Sequence, residues 1–266
     1  MNIALDGSLE KWLLHQLAAE AQGFVGNPVL LDVGAYHGDF ARALLAQANG
    51  LFQRAVLFEP NPTNFAHLRD KFATSREIQL EPLACDETAG EHEFFCAGPT
   101  YTGSLLRYDT ATVEPVQKTV VQRVRLDTYL HDRALVSQVG LLKIDTQGND
   151  LRVLRGAAEL LHAARPWIVT ELIYVPLYQA QAGPHEITAW LASQGYVMAA
   201  QFNEYYTNTG WLAWADACFV PRELTSTVPR AFPSRPTAEQ AEREARRGLW
   251  RGLRKQIKRA FQHGRT

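Results

Sequence analysis

Only three cysteines, Cys85, Cys96 and Cys218, occur in the 266 residues, an odd number without a CxxC pair. That argues against a disulfide framework and a zinc site, and favours a reducing compartment. No apolar run approaches the ~20 residues of a membrane span. The first residues do not read as a secretory leader, because Glu10 and Lys11 interrupt them and the leucines fall at helical spacing. The chain is therefore expected to be cytoplasmic. Net charge is also nearly missing: 27 Lys+Arg against 28 Asp+Glu leave −1. The chain as a whole thus gives no electrostatic hint of a nucleic-acid partner. Internal repeats are absent.

Apolar residues, at 46%, are plentiful enough for a large core. Charge is unevenly placed. Nine Lys/Arg against one Glu from Arg243 onward give +8, which leaves −9 on Met1–Glu242. Leu9, Leu13, Leu14 and Leu17 form one face of an amphipathic helix. Strands and helices then alternate. Strands are expected at Val29–Val33, Ala55–Phe58, Ile78–Leu83, Leu141–Ile144 and Trp167–Leu172. Helices are expected at about Phe40–Gln47, Pro62–Phe72, Leu151–His162 and Glu186–Ser193. Glu91–Phe95 and Val116–Val124 read as an extra hairpin, and Tyr196–Phe202 with Ala217–Pro221 as a closing pair. This order predicts an α/β chain with a mostly parallel sheet, helices on both faces, and one antiparallel edge strand. Domain boundaries follow: a folded domain over 1–220, a Pro-rich linker over 221–237, and a basic amphipathic helix over 238–266.

In such sheets ligands bind at the carboxyl ends of the strands, beside the first one. Asp32-Val33-Gly34-Ala35-Tyr36-His37-Gly38 sits there. Gly34 permits close backbone approach, and Gly38 lets the next helix pack. A dinucleotide fingerprint needs GxGxxG, and Tyr36 stands where its middle glycine would be, so the phosphate cradle is missing. Asp32 would repel an anion and welcome a cationic amino-acid group. Glu59, in Glu59-Pro60-Asn61 at the end of the second strand, can accept hydrogen bonds from both hydroxyls of a ribose. A glycine turn and an acid without a phosphate site suggest an adenosyl ligand without phosphate, and S-adenosylmethionine fits. The same gap counts against a nucleotide-sugar or NAD-dependent enzyme. Ala84, Cys85 and Asp86 would lie beside the adenine. Asp145, ending the fourth strand, can be a general base, a metal ligand or a hydrogen-bond acceptor for the cofactor. Asp150 and Glu171 are supporting catalytic candidates, Tyr174 and Tyr178 follow Glu171, and His37 is placed to face a substrate.

The stretches LLDVGAYHGDF, LFEPNPTNFAHL, VRLDTYL and LLKIDTQGNDLRVLRGA, followed by RPWIVTEL, resemble the FkbM-type family of S-adenosylmethionine-dependent methyltransferases over about Val29–Phe202. The resemblance implies a Rossmann-like class I methyltransferase fold with a seven-stranded sheet. It also implies methyl transfer to a hydroxyl oxygen of a sugar or a related acceptor. Gly34, Gly38 and Glu59 match the cofactor site, and Asp145 the acid of the fourth strand. The cofactor-binding set expected is thus Asp32, Gly34, Ala35, Tyr36, Gly38, Glu59, Pro60, Asn61, Ala84, Cys85 and Asp145. Gln147 departs from the family, which often has Glu there, so no metal or base role falls on it. Asp145 and Asp150 leave room for Mg²⁺ without establishing it. The rival from another class is a non-catalytic binding module recruited through its basic tail. Along that tail Leu249, Trp250, Leu253, Ile257 and Phe261 recur at helical spacing, which suits an anionic membrane surface better than nucleic acid.

Overall fold

The computed structural model describes residues 9–20, 28–47, 51–97, 102–109 and 116–227. Helix α1 (Leu9–Glu20) buries Leu9, Leu13 and Leu17. Strand β1 (Val29–Val33), buried at all five positions, leads through the glycine turn into α2 (Asp39–Gln47). Then come β2 (Arg54–Phe58), α3 (Pro62–Lys71) and β3 (Ile78–Glu81). A short β4 (Ala84–Cys85) precedes the hairpin of β5 (Gly90–Ala97) and β6 (Val116–Val124). Helix α4 (Leu126–His131), β7 (Val139–Ile144), α5 (Asp150–Arg155), α6 (Ala158–Ala163) and β8 (Trp167–Ile173) follow. Helix α7 (Pro184–Ser193), β9 (Tyr196–Tyr206) and β10 (Leu212–Pro221) complete the sheet.

Seven strands form the main sheet in the order β3-β2-β1-β7-β8-β10-β9. The first five pair in parallel. Strand β10 runs antiparallel to both β8 and β9, so the reversed strand lies one place in from the edge. This is the Rossmann-like class I methyltransferase fold that the family resemblance implies. On one face Leu31, Val33, Leu142 and Ile144 pack with α4–α7 in a single core cluster. On the other, Trp12 of α1 meets Trp167 at 6.0 Å and Phe202 at 5.4 Å between ring centroids. The strand order reverses between β1 and β7, which opens a crevice at their carboxyl ends.

Two expected elements are broken. The third strand ends at Glu81 instead of Leu83. Pro82 has no N–H to continue a ladder, and Ala84–Cys85 pairs with β6 in a second sheet, ordered β4-β6-β5. The helix expected over Leu151–His162 is two helices. Gly156 lies so close to Asp86 that a Cβ there would come within 2.2 Å of the Asp86 carbonyl oxygen. The Asp127 carboxylate then accepts from the N–H groups of Glu159 (3.2 Å) and Leu160 (3.0 Å), capping a fresh start.

All of these elements belong to one compact unit, Met1–Glu223. Residues 222–227 form a 3₁₀ turn. The rest of the expected linker and the basic stretch 238–266, with the membrane contact expected of it, lie outside the described residues. Among the described residues no helix is long and apolar enough to cross a membrane.

Candidate active site

A cavity of about 160 Å³ opens at the carboxyl ends of β1, β2 and β7. Val33, Gly34 and Tyr36 form one wall; Glu59, Pro60 and Asn64 form the next. Leu83, Ala84 and Cys85 continue it, and Asp145, Thr146, Gln147 and Asn149 close the circle. Phe94 from β5, with Gly103 and Leu105, contributes further apolar lining.

The turn after β1 is built on close approach. Gly34 has φ 76°, and a Cβ on it would lie 1.9 Å from the Asp145 carbonyl oxygen. Glycine therefore lets β1 and β7 touch at the cavity rim. The N–H groups of Gly34 and Ala35 both donate to the Phe58 carbonyl at 3.0 Å. Ala35 and Gly38 were expected in the cofactor site, but neither lines the cavity. Gly38 instead lets α2 meet α3, since a Cβ there would be 2.6 Å from the Phe72 ring. His37 stacks on Tyr36 with ring centroids 3.7 Å apart and is also outside the cavity wall.

Glu59 is the best-held group of the site. Its Oε2 accepts from the Tyr36 N–H (2.8 Å), and its Oε1 from the Asn61 N–H (2.9 Å) and the Asn64 amide (3.4 Å). Burial pushes its pKa from the ordinary 4.5 to about 7, although these donors pull the other way. Asn61 was expected to touch the cofactor, yet its side chain caps α3, accepting from Thr63 N (2.9 Å) and Asn64 N (3.4 Å). Asn61→Ala is therefore expected to cost about 1 kcal/mol of stability, seen as a lower urea midpoint at unchanged slope. Cofactor affinity should be nearly unchanged, because the backbone N–H that serves Glu59 survives.

Ala84 and Cys85 lie in the wall as expected, but Asp86 does not. Asp86 is buried, and its carboxylate is taken up by Arg123 and by Arg152, whose Nε is 2.8 Å away. Asn149 is the polar group on this side. Its amide nitrogen donates to the Cys85 carbonyl at 3.2 Å, and its Oδ1 is buried with no hydrogen-bond partner among the described residues.

Asp145 stands at the opposite end, with its side chain 36% exposed. Its Oδ1 accepts from the Gln147 amide at 3.1 Å, and that amide also donates to Glu171 at 3.3 Å. Tyr178 donates its hydroxyl to Gln147 Oε1 at 2.8 Å. Gln147 thus bridges two carboxylates that a glutamate would repel. Glu171 is held well above the usual carboxylate range by burial and by the charges of Asp145, Asp150 and Asp216. It sits behind Gln147 and does not line the cavity. Asp150 is placed otherwise than expected. It is 1% exposed, accepts from Thr170 (3.0 Å) and Thr146 (3.1 Å), and is raised to about 6 by burial. The donors do not fit a metal ion: Asp150 is turned inward to two threonines, and Gln147 offers N–H where an acid would be needed. Among the described residues no three His, Cys, Asp or Glu side chains converge as a cation site.

Asp32 is likewise not in the wall. It is fully buried and ion-paired with Lys143, whose Nζ is 3.3 Å from its Oδ1. Sequence reasoning gave Lys143 no role, although a lone charge inside the apolar strand VGLLKI was a visible signal. Asn64, Asn149, Phe94, Gly103 and Leu105 were also missed. The last three come from the segment between β4 and α4, and only long-range pairing brings them to the site.

A family model described as the methyltransferase FkbM domain matches residues 32–198. A comparison with curated proteins finds none that matches. Among solved structures, the chain is similar to methyltransferase FkbM from Methylobacillus flagellatus KT, with 16% identity and a TM-score of 0.48. That alignment covers 73% of this chain and 45% of the other, so the chain spans under half of that protein's length. It is also similar to precorrin-6y C5,15-methyltransferase from Geobacter metallireducens GS-15, at 13% identity and TM-score 0.43, over 83% of this chain and 93% of that one. A third is magnesium protoporphyrin IX methyltransferase from Synechocystis PCC 6803, solved with SAM bound, at 10% identity and TM-score 0.42, over 80% and 77%.

Proposed function

The chain belongs to the FkbM methyltransferase family, and from that premise we propose that it binds S-adenosylmethionine in the cavity and methylates a hydroxyl oxygen of a sugar. The observation that carries this reading is Glu59. Its carboxylate is fixed in the cavity wall by two backbone N–H groups and lies beside a glycine turn that lacks a phosphate cradle. A carboxylate held this way suits the two hydroxyls of a ribose. Leu83, Ala84, Cys85, Phe94 and Leu105 supply apolar surface for a base, and Asn149 Oδ1, which has no hydrogen-bond partner among the described residues, supplies an acceptor. Gly34 and Asp145 face the other end, where the amino-acid part would lie.

The cofactor supplies an electrophilic methyl group when bound. What this chain must add is alignment of an oxygen behind that carbon, and positioning of this kind contributes roughly 7–11 kcal/mol. Asp145 is the one cavity carboxylate at the rim opposite Glu59. It is half-exposed, with Oδ1 fixed by Gln147, so it can accept the proton of an acceptor hydroxyl at Oδ2. Asp150 is occupied by two hydroxyls, and Glu171 is screened by Gln147. Neither reaches the acceptor.

A pH dependence follows. The ionised Glu59 carboxylate is the form that accepts two ribose hydroxyls, and burial puts its pKa at about 7. Affinity for S-adenosylmethionine should rise roughly tenfold between about pH 6 and pH 8 and level off above. The raised pKa has the opposite effect on the ligand-free fold. There the contribution of Glu59 to stability is full below about pH 4.5 and is lost as the pH rises to about 7. Calorimetric titrations across this range check the sign, and affinity that falls toward pH 8 contradicts the ribose assignment.

A further inference from the structure

Lys143 is the one charged residue in β7, a strand otherwise made of apolar residues and glycine, and its side chain is 13% exposed. It does not line the cavity. Its Nζ donates to the Gly34 carbonyl at 3.0 Å and lies 3.3 Å from Asp32 Oδ1 and 3.6 Å from Asp145 Oδ2. Gly34 and Asp145 do line the cavity, one on each side of the seam between β1 and β7. Lys143 therefore grips both sides of that seam from behind. Asp145 has its other oxygen hydrogen-bonded to Gln147, so Lys143 orients the carboxylate through its charge at 3.6 Å and leaves Oδ2 open to accept. Asp32, 0% exposed, stands as the counter-ion inside the sheet.

We propose that Lys143, kept charged by Asp32, is a positioning residue that sets the Gly34 carbonyl and the Asp145 carboxylate for the cationic amino-acid end of the cofactor. This rests on the cofactor reading given above. Two carboxylates and one ammonium leave a net charge of −1 at that end of the wall, which suits a ligand whose ammonium and sulfonium outweigh its one carboxylate. Stability alone is a poor reason for the pair. Buried ion pairs rarely repay their desolvation, and apolar residues of similar volume commonly do as well. Burial lowers the Lys143 pKa, but Asp32 and Asp145 outweigh it and hold the ammonium ionised.

The test uses the full-length chain and two probes, S-adenosylmethionine and 5′-methylthioadenosine, which keeps the adenosine and the sulfur but lacks the amino-acid end. Lys143→Met alone leaves Asp32 buried and unpaired, so it is expected to melt earlier. The double variant Asp32→Val/Lys143→Met removes both charges and should recover the melting temperature. Its affinity for S-adenosylmethionine should nevertheless stay about tenfold or more below that of the wild type, with the affinity for 5′-methylthioadenosine within about threefold. Equal losses for both probes would mean general distortion, and no loss for either would mean a brace of the fold; each result overturns the proposal. A wild-type chain that binds neither probe would overturn the cofactor reading itself, and this proposal with it.

Discussion

Asp145→Asn is expected to slow methyl transfer at saturating cofactor by about 10²–10⁴-fold, the usual range for loss of a general base, and to weaken cofactor binding as well, because the same carboxylate faces the amino-acid end of the cofactor. Asparagine keeps the size of the group and can still meet Gln147, but it cannot take a proton from an acceptor hydroxyl. The other carboxylates cannot replace it. Asp150 is fixed by Thr146 and Thr170, and Glu171 lies behind the Gln147 amide with its proton held by burial and by three neighbouring acids. The measurement is single-turnover formation of S-adenosylhomocysteine with an accepting glycan, found by screening. A fall in affinity at an unchanged single-turnover rate would make Asp145 a binding residue only. The same assay in chelator should keep its full rate, because the donors at this site do not assemble a cation site.

Glu59→Ala is expected to weaken S-adenosylmethionine binding by about 10²–10⁴-fold. A hydrogen bond to a charged group contributes about 1.5–3 kcal/mol, and this carboxylate is placed to accept two. The fold should survive, because ionised Glu59 costs the ligand-free protein stability near and above neutral pH. Its loss leaves the Tyr36 and Asn61 N–H groups without their acceptor, so Glu59→Gln, which keeps one oxygen, separates the two effects. Calorimetry on the two variants reads both. Unchanged affinity in the alanine variant would remove Glu59 from the ribose.

Much of this was legible in the sequence, and the reasons are local. Val29–Val33 is apolar except for Asp32 and is followed at once by Gly34, so strand, turn and rim could be placed together. Glu59 follows a buried strand directly, which puts it at the carboxyl edge, and Asn61-Pro62 marks the start of a helix. The errors arose where a partner distant in sequence decides. Asp150 looked like a free acid until Thr170, twenty residues on, took it inward. Asp86 met Arg123 and Arg152, and Asp32 met Lys143, across strands whose pairing no local pattern declares. The helix after β7 breaks because Gly156 lies against Asp86 and Asp127 caps the next turn, two contacts made through the core. The apolar lining from Phe94 and Leu105 was invisible for the same reason: it depends on how β5 and β6 pair and pack beside the cavity.

The most direct test is a calorimetric titration of the full-length wild-type chain with S-adenosylmethionine at about pH 8, with NAD as the competing ligand. A cavity that grips a ribose through Glu59 and has no phosphate cradle should take up one S-adenosylmethionine per chain and should not release it to NAD. No saturable binding of S-adenosylmethionine, or its displacement by NAD, would contradict the assignment of this cavity.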